Sequence, residues 1–148
     1  MPDILHRIGI RSSSTEAVYQ ALTTTKGLSG WWTTDTKGEP GKIDGLVQFR
    51  FGKNGFDMKV LELHPESHVL WQVLAGPEEW IGTILSFEFR KDNDYIILLM
   101  KHLGWKEPAE FMHHCSTKWA IFLMSLKSML ETGKGGPFPN DLKIDNWN

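Results

Sequence analysis

Histidine is the side chain in this sequence best suited to metal binding or acid–base chemistry, and it occurs six times. His113 and His114 directly precede Cys115, and zinc takes both imidazole and thiolate ligands. Adjacent residues of a helix point about 100° apart, however, so these three cannot easily converge on one ion. No Cys-x-x-Cys or His-Glu-x-x-His motif accompanies them. We therefore predict no metal site and no cofactor, and we interpret Cys115 as a small buried hydrophobe.

His102 is the second candidate, because it ends an alternating pattern that it shares with Leu98 and Met100. An imidazole among apolar side chains could hydrogen-bond a ligand or act as a general acid or base. The structural alternative is that His102 bonds a backbone carbonyl and orients the loop that carries Trp105. Glu62 could also point inward, but a bulge in its strand would turn it outward, and we expect it to be exposed. No acid–base pair emerges, so no catalytic residue is assigned.

Tryptophan is over-represented, with 7 Trp beside 8 Phe and 2 Tyr. A single tryptophan is more typical of a core, but several around one cavity would make an apolar pocket with a few N–H donors. Large aromatic side chains could equally fill that space. We expect Trp147, near the end of the chain, to lie outside it. The predicted ligand cavity is lined by Phe49, Phe51, Met58, Trp71, Phe87, Leu98, Met100, His102, Trp105, Cys115, Trp119 and Phe122.

Composition excludes several classes of protein. The charge is nearly balanced, with 16 Lys and Arg against 18 Asp and Glu, which argues against a nucleic-acid partner. A single cysteine excludes an internal disulfide framework and is typical of a reducing compartment. The longest apolar run, residues 95–100, is far shorter than the roughly 20 residues of a spanning helix. We therefore predict a cytoplasmic protein with no membrane partner.

Two kinds of periodicity predict the elements that position these residues. Ser13 and Glu16 have capping-box spacing, which predicts a helix over residues 14–24 and a short helical piece after it. Apolar residues three or four apart predict a long helix over residues 108–132. Alternation predicts six strands, over residues 4–11, 43–51, 56–64, 69–73, 81–89 and 95–103. The order predicts an α+β fold, in which a curved antiparallel sheet wraps around the C-terminal helix.

Short motifs follow one another along nearly the whole chain, to about residue 139. They are Glu16–Leu22, Gly27–Leu28, Trp31–Trp32, Phe49–Gly52, Val69–Trp71, Trp80–Thr83, His102–Trp105, Cys115–Trp119 and Glu131–Gly135. Their order and spacing resemble the START-like, or SRPBCC, superfamily, typified by the birch-pollen allergen. The closer similarity is to the branch named after the activator of the heat-shock chaperone ATPase. The resemblance implies one helix-grip domain over residues 1–139, which leaves a C-terminal tail over residues 140–148. From the sequence itself we expect residues 137–148 to be loosely packed or frayed.

Three functions follow as expectations from this resemblance. The first is a binding module, because the superfamily is known for a cavity between sheet and helix that takes lipids, hormones, polyketides or other apolar molecules. The second is an enzyme that uses the same cavity, since some relatives are cyclases or hydrolases. The third is a chaperone ATPase-stimulating partner, although the eukaryotic activators carry an additional N-terminal domain that these residues do not include. The expected partner is thus an unidentified hydrophobic small molecule, and homodimerisation is left open.

Overall fold

The computed structural model describes residues 1–148, in which alternating apolar residues form strands and a helical apolar stripe forms the longest helix. A short 3-10 turn, Glu78–Trp80, precedes the sixth strand. The elements in chain order are β1 (Ile4–Arg11), α1 (Thr15–Thr23), α2 (Thr25–Trp31), β2 (Asp35–Gly38), β3 (Leu46–Phe51), β4 (Asn54–His64), β5 (His68–Ala75), β6 (Ile84–Asp92), β7 (Tyr95–Leu103) and α3 (Glu110–Thr132).

One antiparallel sheet contains all the strands, in the order β1-β7-β6-β5-β4-β3-β2. Helices α1 and α2 carry the chain from one edge strand to the other, and α3 packs along β1 and α2. The predicted α+β class with a C-terminal helix is confirmed. The predicted count of six strands is wrong, because β2 adds a seventh at the edge. None of the helices is both long enough and apolar enough to cross a bilayer.

Capping residues set the ends of the helices. Ser14 is the N-cap of α1, and its Oγ accepts the backbone N–H of Ala17 at 3.0 Å, so the predicted cap at Ser13 is wrong by one residue. Thr24 caps α2 in the same way, accepting the N–H of Gly27 at 2.9 Å. Helix α3 ends before Gly133, which adopts the left-handed conformation, so the predicted end at residue 132 is confirmed.

The predicted bulge in β4 is confirmed. The register with β5 shifts between Val60 and Glu62, and Leu61 and Leu63 are half-buried after the shift. Val60 is fully buried before it, so the inward-facing phase moves by one residue. Glu62 is consequently exposed on the outer face of the sheet, as expected.

The predicted starts of two strands need correction. β3 begins at Leu46 rather than at residue 43, because Asp44 adopts a left-handed φ of 65° and breaks the strand. β6 begins at Ile84 rather than at residue 81, because Gly82 turns with a φ of 86°. Ile81 is therefore exposed and does not belong to the inward face.

Candidate functional site

A cavity of about 220 Å³ lies between α3, the β3–β4 hairpin and the tail of residues 140–148. We call it the α3 cavity. Fourteen residues line it, and nine of them are hydrophobic. From α3 come Cys115, Trp119 and Phe122, and the hairpin contributes Phe51 and Phe56. The cavity therefore has a largely aromatic wall on the side of the helix that faces the tail.

Four of the twelve predicted lining residues lie on this wall, namely Phe51, Cys115, Trp119 and Phe122. The other eight are buried away from it and form the packed core between sheet and helix. Those eight are Phe49, Met58, Trp71, Phe87, Leu98, Met100, His102 and Trp105. The predicted position of the cavity therefore needs correction.

Aromatic rings occupy the space where the central groove was expected. The ring of Trp32 lies 4.4 Å from that of Phe49 and 6.2 Å from that of Trp71, measured between centroids. On its other side the ring of Trp119 is 5.0 Å away. These contacts connect the sheet to α3 through the ring of Trp32, so the open volume is displaced toward the tail.

Several lining residues were not predicted, and Trp147 was expected to lie elsewhere. Its ring packs 6.3 Å from that of Phe111 and 5.5 Å from that of His114, so it covers the cavity at the start of α3. Trp147 is the one aromatic residue of the tail, and this was the available signal. Trp32 and Trp80 also line the cavity. Trp32 ends the predicted short helical piece, and Trp80 stands just before a predicted strand.

Ion pairs hold the tail on α3, so the expectation of a loose or frayed tail is wrong. The side chain of Asp141 is only 1% exposed and accepts hydrogen bonds from the ammonium groups of Lys118 and Lys143. His114 Nδ1 lies 2.7 Å from a carboxylate oxygen of Asp145. Three of these five polar anchors, His114, Lys118 and Asp141, also line the cavity. The tail is thus one wall of the site.

The electrostatics of the two tail carboxyls favour this closed arrangement at neutral pH. Burial alone raises the pKa of Asp141, but hydrogen bonds from Lys118 and Lys143 outweigh it and hold the pKa below its usual value. The hydrogen bond from His114 likewise lowers the pKa of Asp145. A carboxyl group whose pKa is lower in the folded state than in the unfolded chain stabilises the fold at pH values above its unfolded pKa, which is about 4. That stabilisation is lost as the pH falls through the lowered pKa. The anchors therefore weaken only in strong acid.

Both ring nitrogens of His102 are occupied by hydrogen bonds. The indole N–H of Trp119 donates to Nδ1 at 3.2 Å, and Thr83 Oγ1 lies 2.9 Å from Nε2. Because the Thr83 hydroxyl donates to the carbonyl of Trp80 at 2.6 Å, it accepts the Nε2–H of His102. The ring is therefore neutral, and burial lowers its pKa to about 3.

This geometry favours the structural interpretation of His102. No lone pair is free to accept a substrate proton, and the residue does not line the α3 cavity. Its partners are side chains rather than the backbone carbonyl that was expected. Burial also raises the pKa of the Cys115 thiol to about 12, so Cys115 stays protonated at neutral pH and contributes apolar wall rather than a nucleophile.

Known proteins resemble this chain over most of its length. Among solved structures, the Aha1 dimer from Colwellia psychrerythraea is 47% identical, with a TM-score of 0.83, and the match covers 91% of this chain and 100% of that one. CalU16 from Micromonospora echinospora is 16% identical with a TM-score of 0.77, covering 97% and 74% of the two chains. SSP2350 from Staphylococcus saprophyticus is 13% identical with a TM-score of 0.75, covering 90% and 95%. The last two show the fold alone.

A family model settles the relationship. The model described as "Activator of Hsp90 ATPase homolog 1-like protein" matches residues 12–131, which include six of the seven strands and all the helices except the last residue of α3. No curated protein matches the sequence. The predicted resemblance is confirmed, and the chain belongs to the Activator of Hsp90 ATPase homolog 1-like family of the START-like, or SRPBCC, superfamily.

Proposed function

We propose that this protein binds one small apolar molecule in the α3 cavity. The observation that carries the proposal is an open volume of about 220 Å³ with nine hydrophobic residues among its fourteen lining residues. An engineered apolar cavity of about 150 Å³ binds benzene, so this one has room for a substituted aromatic ring or a short acyl chain. A sterol or a long-chain lipid would require the tail to move.

Polar groups at the rim would orient such a ligand. Asn54 contributes a side-chain amide, and Lys118 contributes an ammonium group that already bonds Asp141. Ligand sites combine an apolar wall with a few polar groups of this kind. The rim therefore favours a ring or acyl chain that carries one carboxylate or hydroxyl group.

A ligand screen tests the proposal. Untagged protein is titrated with small aromatic acids, alkylphenols and short-chain fatty acids, while tryptophan fluorescence and melting temperature are followed. Because Trp32, Trp80, Trp119 and Trp147 line the cavity, binding is expected to change the emission. It is also expected to raise the melting temperature, since the ligand binds only the folded state.

Two neighbouring residues of α3 give a matched pair of variants. Phe122 lines the cavity, whereas Leu123 is fully buried outside it. Both Phe122→Ala and Leu123→Ala are expected to lower the free energy of unfolding by about 3 kcal/mol. Only Phe122→Ala should extend binding to larger ligands. Equal ligand preferences in both variants, or no response of the wild type to any compound, would reject the proposal.

The same geometry supports a catalytic function less well than it supports ligand binding. The candidate acid–base residue, His102, has both nitrogens bonded within the core. The charged groups at the rim are paired with one another. Stimulation of a chaperone ATPase rests on the name of the family alone, so it stays an alternative.

We also propose that the chain forms a homodimer. The 47% identical structure is described as a dimer. Sedimentation equilibrium over a wide concentration range should give twice the monomer mass. A monomer at every concentration would contradict this proposal and leave the ligand proposal untouched.

A further inference from the structure

The outer face of the β4–β5 hairpin brings together three side chains that commonly bind metal ions. They are Glu62, His64 and His68, and one potential ligand atom from each lies within 4.8 Å of the others. Glu62 and His64 are two residues apart on one strand and therefore share a face. His68 stands directly opposite His64 in the register of the two strands. All three residues of the cluster therefore lie on a single β-hairpin.

The bulge in β4 creates this arrangement. Without the register shift after Val60, Glu62 and His64 would continue the inward phase of the strand and point into the core. The shift sends Leu61 and Leu63 inward and turns both potential ligands outward, where His68 lies on the neighbouring strand. The exposure of Glu62 was expected, but no metal site was predicted on this hairpin.

The spacing of the ligand atoms suits a tetrahedral ion. Glu62 Oε1 lies 3.1 Å from His64 Nε2. Two ligands bound to zinc at 2.0–2.1 Å with tetrahedral geometry are separated by about 3.3 Å. The rings of His64 and His68 lie nearly parallel, 7° apart, with centroids separated by 6.1 Å. Small side-chain rotations would bring all three donors to one ion.

A buried hydroxyl already orients His68. Its Nε2 lies 2.9 Å from Oγ of Ser86, a residue of β6 that is only 3% exposed. Histidines that bind metals commonly donate their other N–H to a neighbouring group, which fixes the ring and its tautomer. When Nε2–H of His68 donates to Ser86, the lone pair of Nδ1 is left free for a metal ion.

We propose that Glu62, His64 and His68 bind one divalent transition-metal ion, with zinc the best match. Two imidazoles and one carboxylate form a ligand set that zinc accepts, and water would complete the coordination because the cluster faces solvent. The ion would link the two strands of the hairpin. The site is independent of the α3 cavity, because it lies on the opposite face of the sheet from the buried residues Val60 and Val69.

Calorimetric titration of the untagged chain with Zn²⁺ tests the site. We expect one ion per chain, with affinity reduced at least tenfold in His64→Asn and in His68→Asn, and less in Glu62→Gln. The matched control is His113→Asn, an exposed histidine of α3 that should leave the affinity unchanged. The absence of stoichiometric binding, or affinity retained in both hairpin variants, would overturn the proposal.

Two further measurements separate binding at the hairpin from a general effect on the fold. The imidazole nitrogen resonances of His64 and His68 should shift on adding Zn²⁺, while those of His113 should not. Zinc at about a hundred times its Kd should raise the melting temperature of the wild type by about 8 °C, and that rise should vanish in His64→Asn. Because His64 is exposed, the metal-free variant should melt like the wild type. Resonance shifts at His113 alone would count against the hairpin.

Discussion

Acidification from pH 7 to pH 4 is expected to lower the free energy of unfolding by about 3 kcal/mol through His102 alone. The folded state keeps this ring neutral, because burial lowers its pKa from 6.5 to about 3. The unfolded chain takes up the proton near pH 6.5, so acid favours unfolding. The stabilisation is complete above pH 6.5 and is progressively lost as the pH falls toward 3. Within this window, each pH unit changes the free energy of unfolding by about 1.4 kcal/mol.

Urea unfolding between pH 6.5 and pH 5 isolates this effect, because ordinary carboxyl groups titrate mainly below that range. His102→Gln, which cannot take up a proton, should show a flatter dependence of stability on pH. Burial also lowers the pKa of His6, partly offset by a hydrogen bond that its ring donates to the backbone of Ser116, so His6→Gln should give a smaller flattening. Nuclear magnetic resonance of the wild type should find His102 neutral at pH 4. A protonated ring there, or an unchanged slope in His102→Gln, would contradict the assignment.

Periodic elements of the fold were predictable from the sequence because their side chains alternate between two environments. β1 and α3 carry strong apolar patterns, and their predicted bounds agree with the structure within two residues. β2 could not be predicted in the same way, since Thr36 is its only buried residue. Four residues at the edge of a sheet carry too little pattern to distinguish a strand from a loop.

The site was harder to predict than the fold. The periodicity of apolar residues indicates which face of a strand or helix a side chain lies on, but it does not indicate how much free volume lies beside that side chain. Phe49 and Trp71 do face inward, as predicted, but the ring of Trp32 fills the space between them and α3. The pair of Lys118 and Asp141 joins residues 23 positions apart, and no local pattern connects them. Its formation places the tail on the helix and thereby decides where the cavity lies.

Trp119→Ala is expected to lower the free energy of unfolding by about 4 kcal/mol. The indole ring is only 2% exposed and lies between the rings of Trp32 and Trp80, at centroid distances of 5.0 and 6.1 Å. Its removal takes away this packing and leaves Nδ1 of His102 without a donor. Trp119→Phe retains most of the apolar contact, so its cost should be about 2 kcal/mol and should come mainly from the unpaired nitrogen.

A double-mutant cycle separates the hydrogen bond from the packing. His102→Leu combined with Trp119→Phe removes both polar partners, so the double variant should lose at least about 1 kcal/mol less than the sum of the single losses. Free indole supplies a second measurement, because Trp119→Ala enlarges the α3 cavity by the volume of that ring. Indole should raise the melting temperature of Trp119→Ala by more than that of Leu123→Ala, in which the cavity keeps its original size. Strictly additive losses would contradict the hydrogen bond, whereas equal responses to indole would mean that the ring of Trp119 does not form the wall of the cavity.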